Sequence, residues 1–433
     1  MMMQHGSCEC SKSELDVSSV PPTMSAMQDG QWTEHYPISA LNNTAPIEFI
    51  IPPQTEKWTD LNQSYIYIKF KVLQPDGTDL GGGTETSTVN NLFHSLFNNI
   101  DLYLNNKLIS SSTDTYPYRA YIENLLSYNN ESKDTQLKAL ELWDKDTATH
   151  MQDNTAGGAN TGWKLRKLRI ALSRSCELIG RLHLDMFLQE KYIPNGIEIR
   201  LKLNRASTNF CLMGTAPGKI EIQQVGFNIR TVELLPAVAN DLNQAIAQHN
   251  MKIPIRRTVV KTFTIPNGQR SKIDDHLFLG QLPKRIIIGM VRNSDMNGDP
   301  ASNPFDFRHF NLSKLEVSVD GKAIHNKAYQ PNFTTGECLR SYMSLYQATG
   351  ALGQNRSMGL TLTDYKSGYT LWGFDLTADQ GSEEGQLHPI KTGNLRIDLQ
   401  FAEALTAVIN VIVFAEFDNQ VEINSIREII TDY

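Results

Sequence analysis

The strongest constraint on the fold of this chain is an ordered self-similarity between its two halves. Phe49-Ile50-Ile51-Pro52 is matched by Phe263-Thr264-Ile265-Pro266. The apolar run at 65–72, leading to Asp76-Gly77, is matched by 285–291, leading to Asn297-Gly298. Leu102-Tyr103-Leu104-Asn105-Asn106-Lys107 has its counterpart in Val317-Ser318-Val319-Asp320-Gly321-Lys322. Tyr116-Pro117 is followed in the second half by Tyr329-Gln330-Pro331, the stretch with Tyr121, Leu125 and Tyr128 by 339–346, and 193–201 by 390–399. The offset is 214 from Pro52 to Pro266, 215 from Asn105 to Asp320 and 213 from Tyr116 to Tyr329. It falls to 197 between Gly196 and Gly393, because the first half carries a longer segment at 133–162. A near-constant offset held in order across independent features marks a duplicated unit.

Each unit reads as short strands separated by turns. Period-two patterns or β-branched runs occur at 47–52, 65–72, 100–104, 164–173, 177–188, 197–203 and 219–235. They resume at 258–265, 284–291, 314–319, 369–376, 394–401 and 407–416. Asn105-Asn106 reads as a two-residue hairpin turn, since Asn tolerates positive φ. Two stretches, 118–128 and 133–143, carry amphipathic helical stripes, and 237–248 reads as a helical linker. Charged residues are only 20% of a chain with 28 Gly and 18 Pro, which favours strands and polar loops over helices. About eight antiparallel strands per unit bury their alternating faces best as two facing sheets, a jelly roll. The expected fold is therefore all-β: two tandem eight-stranded antiparallel jelly rolls with short inserted helices and an N-terminal arm. The expected boundaries are 1–38 for the arm, 39–236 for the first jelly roll, 237–250 for the linker helix, 251–417 for the second jelly roll and 418–433 for a C-terminal tail.

Charge and motif content exclude several functions. A net charge of −7 does not suit a protein that coats nucleic acid. No run of about 18 apolar residues suggests a transmembrane helix, and residues 1–31 lack the apolar core of a signal peptide. Cys8, Cys10, Cys176, Cys211 and Cys338 are too sparse for a disulfide framework, which points to a reducing compartment. Cys8 and Cys10 alone cannot close a zinc site. Gly81-Gly82-Gly83 lacks the Gly-Lys-Ser/Thr of a phosphate loop. His183 with Asp185, the cluster Asp274-Asp275-His276, and Asp295, Asn297 and Asp299 each hold part of a metal or acid–base set. None has the ligand number or spacing to complete one, so no catalytic, cofactor or metal residues are assigned. The densest basic stretch is Trp163-Lys164-Leu165-Arg166-Lys167-Leu168-Arg169, read as a strand face. Lys164, Arg166, Lys167 and Arg169 are candidates for contact with DNA or an acidic neighbour, and Trp32 and Tyr36 for docking the arm on a surface.

The segment Phe97-Asn98-Asn99-Ile100-Asp101-Leu102-Tyr103-Leu104-Asn105-Asn106, with Tyr116-Pro117-Tyr118-Arg119-Ala120-Tyr121-Ile122-Glu123-Asn124-Leu125-Leu126-Ser127-Tyr128, resembles the major capsid protein of Polinton/Maverick elements. It is similar also to the hexon-like proteins of adintoviruses and adomaviruses, within the wider group of double-jelly-roll capsid proteins. The resemblance implies a non-enzymatic major capsid protein. Three chains would form a pseudo-hexagonal trimer that tiles an icosahedral shell around double-stranded DNA. It also implies neighbouring capsomers, penton and other minor capsid proteins as partners, at most local contact with packaged DNA, and assembly in the host nucleus. Two other classes stand beside it. A receptor- or carbohydrate-binding jelly roll, even a host-domesticated one, predicts a stable monomer. A cupin-type enzyme needs clustered histidines, and the 10 here are scattered.

Overall fold

The computed structural model describes residues 23–41, 45–110 and 113–431. The first half folds as β1 (Met27–His35), β2 (Ile47–Ile51), β3 (Lys57–Leu73), β4 (Phe97–Leu104), β5 (Lys107–Leu108), β6 (Cys176–Gly180), β7 (Ile199–Arg205) and β8 (Lys219–Leu234). The second half supplies β9 (Met251–Ile265), β10 (Ser271–Asp274), β11 (Arg285–Arg292), β12 (Leu312–Val319), β13 (Lys322–Ala323), β14 (Leu371–Asp375), β15 (Thr392–Phe401) and β16 (Ile409–Ile423). The first pair of sheets runs β1-β8-β3-β6 and β2-β7-β4-β5; the second runs β9-β16-β11-β14 and β10-β15-β12-β13. Adding eight to each strand number of the first path produces the second, so the chain is a double jelly roll. Short strands at Leu279–Gln281 and Ile429–Thr431 extend the second pair.

The repeat extends to single hydrogen bonds. Asn105 and Asp320 both open their hairpins in the left-handed region, at φ 45 and 49. Asn105 donates its N–H to the Glu198 carbonyl (3.0 Å), and its Oδ1 accepts from the Glu198 N–H (2.8 Å). Asp320 makes the same two bonds to Asn394, at 3.0 and 2.8 Å. One proposed match fails. Phe263–Pro266 belongs to the end of β9, whose counterpart is β1, whereas Phe49–Pro52 belongs to β2, whose counterpart is β10. Both stretches end a strand in Phe-x-Ile and are followed by Pro, which cannot donate to a ladder, and that shared strand ending made them look alike.

Strand patterns follow what each face meets. In β3, Ile66, Ile68, Phe70 and Val72 point into the first sandwich while Lys69 and Lys71 stay half-exposed. β11 is apolar on both faces. Ile286, Ile288 and Met290 enter the second sandwich core, and Ile287 and Val291 face an aromatic seam between the rolls. Helix α1 (Tyr116–Ser127) lays Tyr118, Tyr121, Ile122 and Leu125 into that seam. There Tyr121 stacks on Phe305 at 4.1 Å and 3°. Helix α3 (Pro236–Gln248) lies between β8 and β9, and α4 (Leu339–Ala348) matches α1 in order.

Three local expectations are overturned. Residues 164–173, read as a strand, lie mostly in helix α2 (Thr161–Ile170), capped by the Asn160 side chain accepting from the Trp163 N–H. The strand expected over 177–188 stops at Gly180. Within the expected arm, Met27–His35 is an edge strand paired along β8; residues 1–22 lie outside the described part. β1 is almost wholly polar and neither face is fully buried, so it has no apolar alternation to betray it.

Candidate assembly surfaces

A buried polar network joins α1 to both rolls, and of its members only His183 and Asp185 stood out in the sequence. Arg119 reaches from α1 to Glu123 (3.0 Å) and to Asp185 of the first roll (2.7 Å). Asp185 also accepts the Thr258 N–H from β9 of the second roll (3.2 Å). His183 places its ring nitrogens against Glu123 and against Asn124 Oδ1 (3.0 Å). Asn124 donates in turn to Asn91 and Glu141. His94 lies between the Tyr116 hydroxyl (2.9 Å) and Glu141 (3.2 Å). Burial keeps the His94 pKa below its ordinary value, although Glu141 pulls it up. Burial pushes the Glu123 carboxyl up, but Arg119 and His183 outweigh it and hold it at about 2. For Asp185, burial wins over Arg119 and the pKa is raised. Burying these charges costs several kcal/mol each unless they are paired, so the arrangement locks one geometry of the two rolls on α1. His183 and Asp185, noted as a possible pair on a strand face, instead sit in a loop and turn and contact different residues of α1.

One of the four basic residues of the stretch, Arg166, is internal, and the other three are half-exposed. Arg166 is fully buried; it donates to the Thr88 carbonyl (2.8 Å) and the Asp144 carbonyl and pairs with Asp146 (2.6 Å). Lys167 pairs with Glu85 (3.0 Å) over the Trp163 ring, and Arg169 holds the Lys138 carbonyl (2.7 Å). Lys164 is half-exposed. The outward side of the helix carries Leu165 and Leu168, with exposed Leu172 just beyond its end. Trp32 is exposed on edge strand β1, packed on Tyr65 and Arg230. Tyr36, also exposed, donates to Glu34 (3.1 Å).

The remaining motifs are two surface clusters and one buried carboxylate, standing apart from one another. His276 pairs with Asp275 in the open (3.2 Å). Asp295 is buried in a short helical turn and accepts from Ser294; Asp299 accepts the Ala301 N–H. Cys8 and Cys10 lie outside the described residues. Among the described residues no group of three His, Cys, Asp or Glu is placed to hold a metal ion, and no helix is long and apolar enough to cross a membrane.

The corresponding ends of the two rolls differ. Each end is built from the hairpin, the link into the third strand and the loop between the sixth and seventh strands. In the first roll it is sealed. In the second, a cavity of about 380 Å³ opens between Leu282, Val319, Ile324, Leu376, His388 and Ile390. Below it Lys284 pairs with Asp418 (2.7 Å), and His388 bridges Asp418 (3.3 Å) and Asp379 (3.2 Å).

No family model matches the sequence. The chain is 23% identical over 432 residues to uncharacterized protein F54H12.2 of Caenorhabditis elegans, covering 95% of this chain and 99% of that one. Its structure is similar to that of the Sputnik virophage solved by cryo-EM, with a TM-score of 0.66 and 11% identity, covering 98% of this chain and 93% of the other. It is similar to the PBCV-1 virus capsid (TM-score 0.61, 11% identity, 96% and 99% covered). It also resembles the mavirus major capsid protein (TM-score 0.55, 12% identity, 98% and 93% covered). At these identities the likeness establishes a shared double-jelly-roll fold along nearly the whole chain.

Proposed function

We propose that the chain is a major capsid protein whose trimers form pseudo-hexagonal capsomers of an icosahedral double-stranded DNA virus or virus-like element of the Polinton type. One observation carries this reading. The duplicated fold matches solved viral capsid proteins from end to end, covering 98% of this chain and 93% of the Sputnik chain, with no large part of either left over. Fold alone does not specify function, but here the matched feature is the whole architecture rather than a common single domain. The motif at 97–106 and 116–128 adds support, and most of it now has a structural role in the first hairpin, α1 and the seam.

The partners of such a protein are other copies, neighbouring capsomers, and penton and minor capsid proteins. Assembly in a reducing compartment, the nucleus, accords with Cys176, Cys211 and Cys338 being free thiols. Of the basic helix, we assign any local DNA contact first to Lys164, because Arg166 is buried and Lys167 and Arg169 are paired with Glu85 and Asp144. The role is structural, with no chemical step. Interfaces of this kind bury on the order of 2,000 Å² or more.

The nematode relative favours a second reading, a copy carried in an animal genome and retained as a jelly-roll binding protein. Solution mass and negative-stain imaging of the purified chain separate the two. The capsid reading expects a trimer with a hexagonal outline. A monodisperse monomer without that outline overturns it in favour of the binding protein.

A further inference from the structure

The duplication builds the same end on both rolls, and the chain covers only one of them. The equivalence is exact in hydrogen bonding: the Ile109 N–H donates to the Leu102 carbonyl (2.9 Å) and the Ile324 N–H to the Val317 carbonyl (3.0 Å). In the first roll Leu104 is 0% exposed, Ile109 2% and Ile193 1%. They belong to one core with Ile253, Ile255, Val421, Ile423 and Ile429, which all come from the second half. In the second roll Val319 and Ile324, the counterparts of Leu104 and Ile109, are only half-buried, and Ile390 is 63% exposed at the cavity.

The cover on the first roll is an overhang of the second. β9 and β16 stay paired from Met251–Ile423 onward, whereas β11 joins them only from Arg285–Glu416. Their free ends therefore project past the second sandwich. The turn after β16 fastens this overhang. The Arg427 carbonyl accepts from Asn105 Nδ2 (2.8 Å), and its guanidinium donates to the Asn195 carbonyl (2.8 Å) and Oδ1 (2.6 Å).

The first roll carries an overhang of its own. The ends of β1, β3 and β8 hold Trp58, Val232 and Leu234 in a small cluster with Ile246 of α3, separate from the sandwich core. Around it Met24, Leu235 and Leu242 are exposed. We propose that this overhang docks on the open cavity of the second roll in a second copy, repeating between chains the contact that the second overhang makes within one. Charge supports the match. Asp29 and Asp241 are exposed on the overhang; at the cavity end Lys322 and Lys391 are exposed, while Asp320 is tied to the Asn394 N–H and Asp379 to His388. α3 carries no other charge to oppose burial. The contact is heterologous, so each copy offers one overhang and one cavity, and a closed ring leaves neither unfilled. This rests on the capsid reading and names the joint that reading requires.

Two exposed positions test it: Leu242→Glu on the overhang and Ile390→Glu at the cavity. A buried carboxylate at either site should abolish the joint. The expected result, by analytical ultracentrifugation, is a wild-type trimer, loss of the trimer for each variant alone, and a species of about twice the chain mass when the two are mixed. That mixed species needs one intact overhang and one intact cavity, so it also shows that both variants fold. If the wild type assembles and both variants assemble equally well, the docking is overturned and the capsid reading stands. If both variants are monomers and stay so when mixed, the docking is overturned as well. A wild type that is itself monomeric overturns the capsid reading, and the docking with it.

Discussion

Arg166 and Glu123 show how this chain uses charge where it cannot be solvated. Arg166 stands amid a basic run, so its sequence context argues for a solvated face. On helix α2, however, Trp163, Arg166 and Ile170 share the inward side and the leucines are left outside. Its cost is met by the Thr88 carbonyl of a short strand and by the Asp144 carbonyl and Asp146 of a loop, none of which a local pattern announces. Glu123 leads to a pH prediction. Its folded pKa, about 2, lies below the ordinary 4.5. Between those values the unfolded chain binds the proton and the folded chain does not, so stability falls as pH falls. The contribution is complete above about pH 4.5 and is lost as pH drops through about 2. Urea midpoints measured down that range should fall more steeply for the wild type than for Glu123→Gln. Parallel slopes would show that Glu123 is not held down by Arg119 and His183.

At the scale of elements, the hairpins were legible because their turns depend on two adjacent residues that tolerate positive φ. Replacing Asp320 by Gly keeps the left-handed turn and removes one side-chain bond, with an expected cost of about 1 kcal/mol. Asn105→Gly should cost more, since it also removes the bond to the Arg427 carbonyl. Denaturant midpoints of the two variants, at unchanged slope, check the order; equal losses would deny the extra bond any weight. The failures are equally physical. β1 is polar because neither of its faces enters a core, and residues 164–170 mix apolar and basic positions in a way that fits a strand or a helix until packing chooses. The buried network around α1 includes one helical i,i+4 pair, Arg119 and Glu123, but no spacing rule joins that pair to His94, Glu141, His183 and Asp185.

At the scale of the whole molecule, the rolls are interlocked rather than strung together. Ile253, Ile255, Val421, Ile423 and Ile429 complete the first core although they follow the linker. The expected division at 250 and 417 therefore cuts through one core. A chain ending at residue 417 should expose the first roll, not the second. Limited proteolysis should then find its early cuts before residue 236, and early cuts confined to 251–417 would contradict the interlock. The sequence by itself determined the duplication, the strand-rich class and the hairpin turns. These arise from periodicity and backbone preference within a few residues, which a linear reading samples directly. Only the tertiary structure decided that Arg166 turns inward, that the edge strand forms, and that the first roll is sealed while the second keeps its cavity. Those outcomes depend on contacts such as Asn105 to Arg427, 322 residues apart, whose energy exists only once the whole chain has closed on itself.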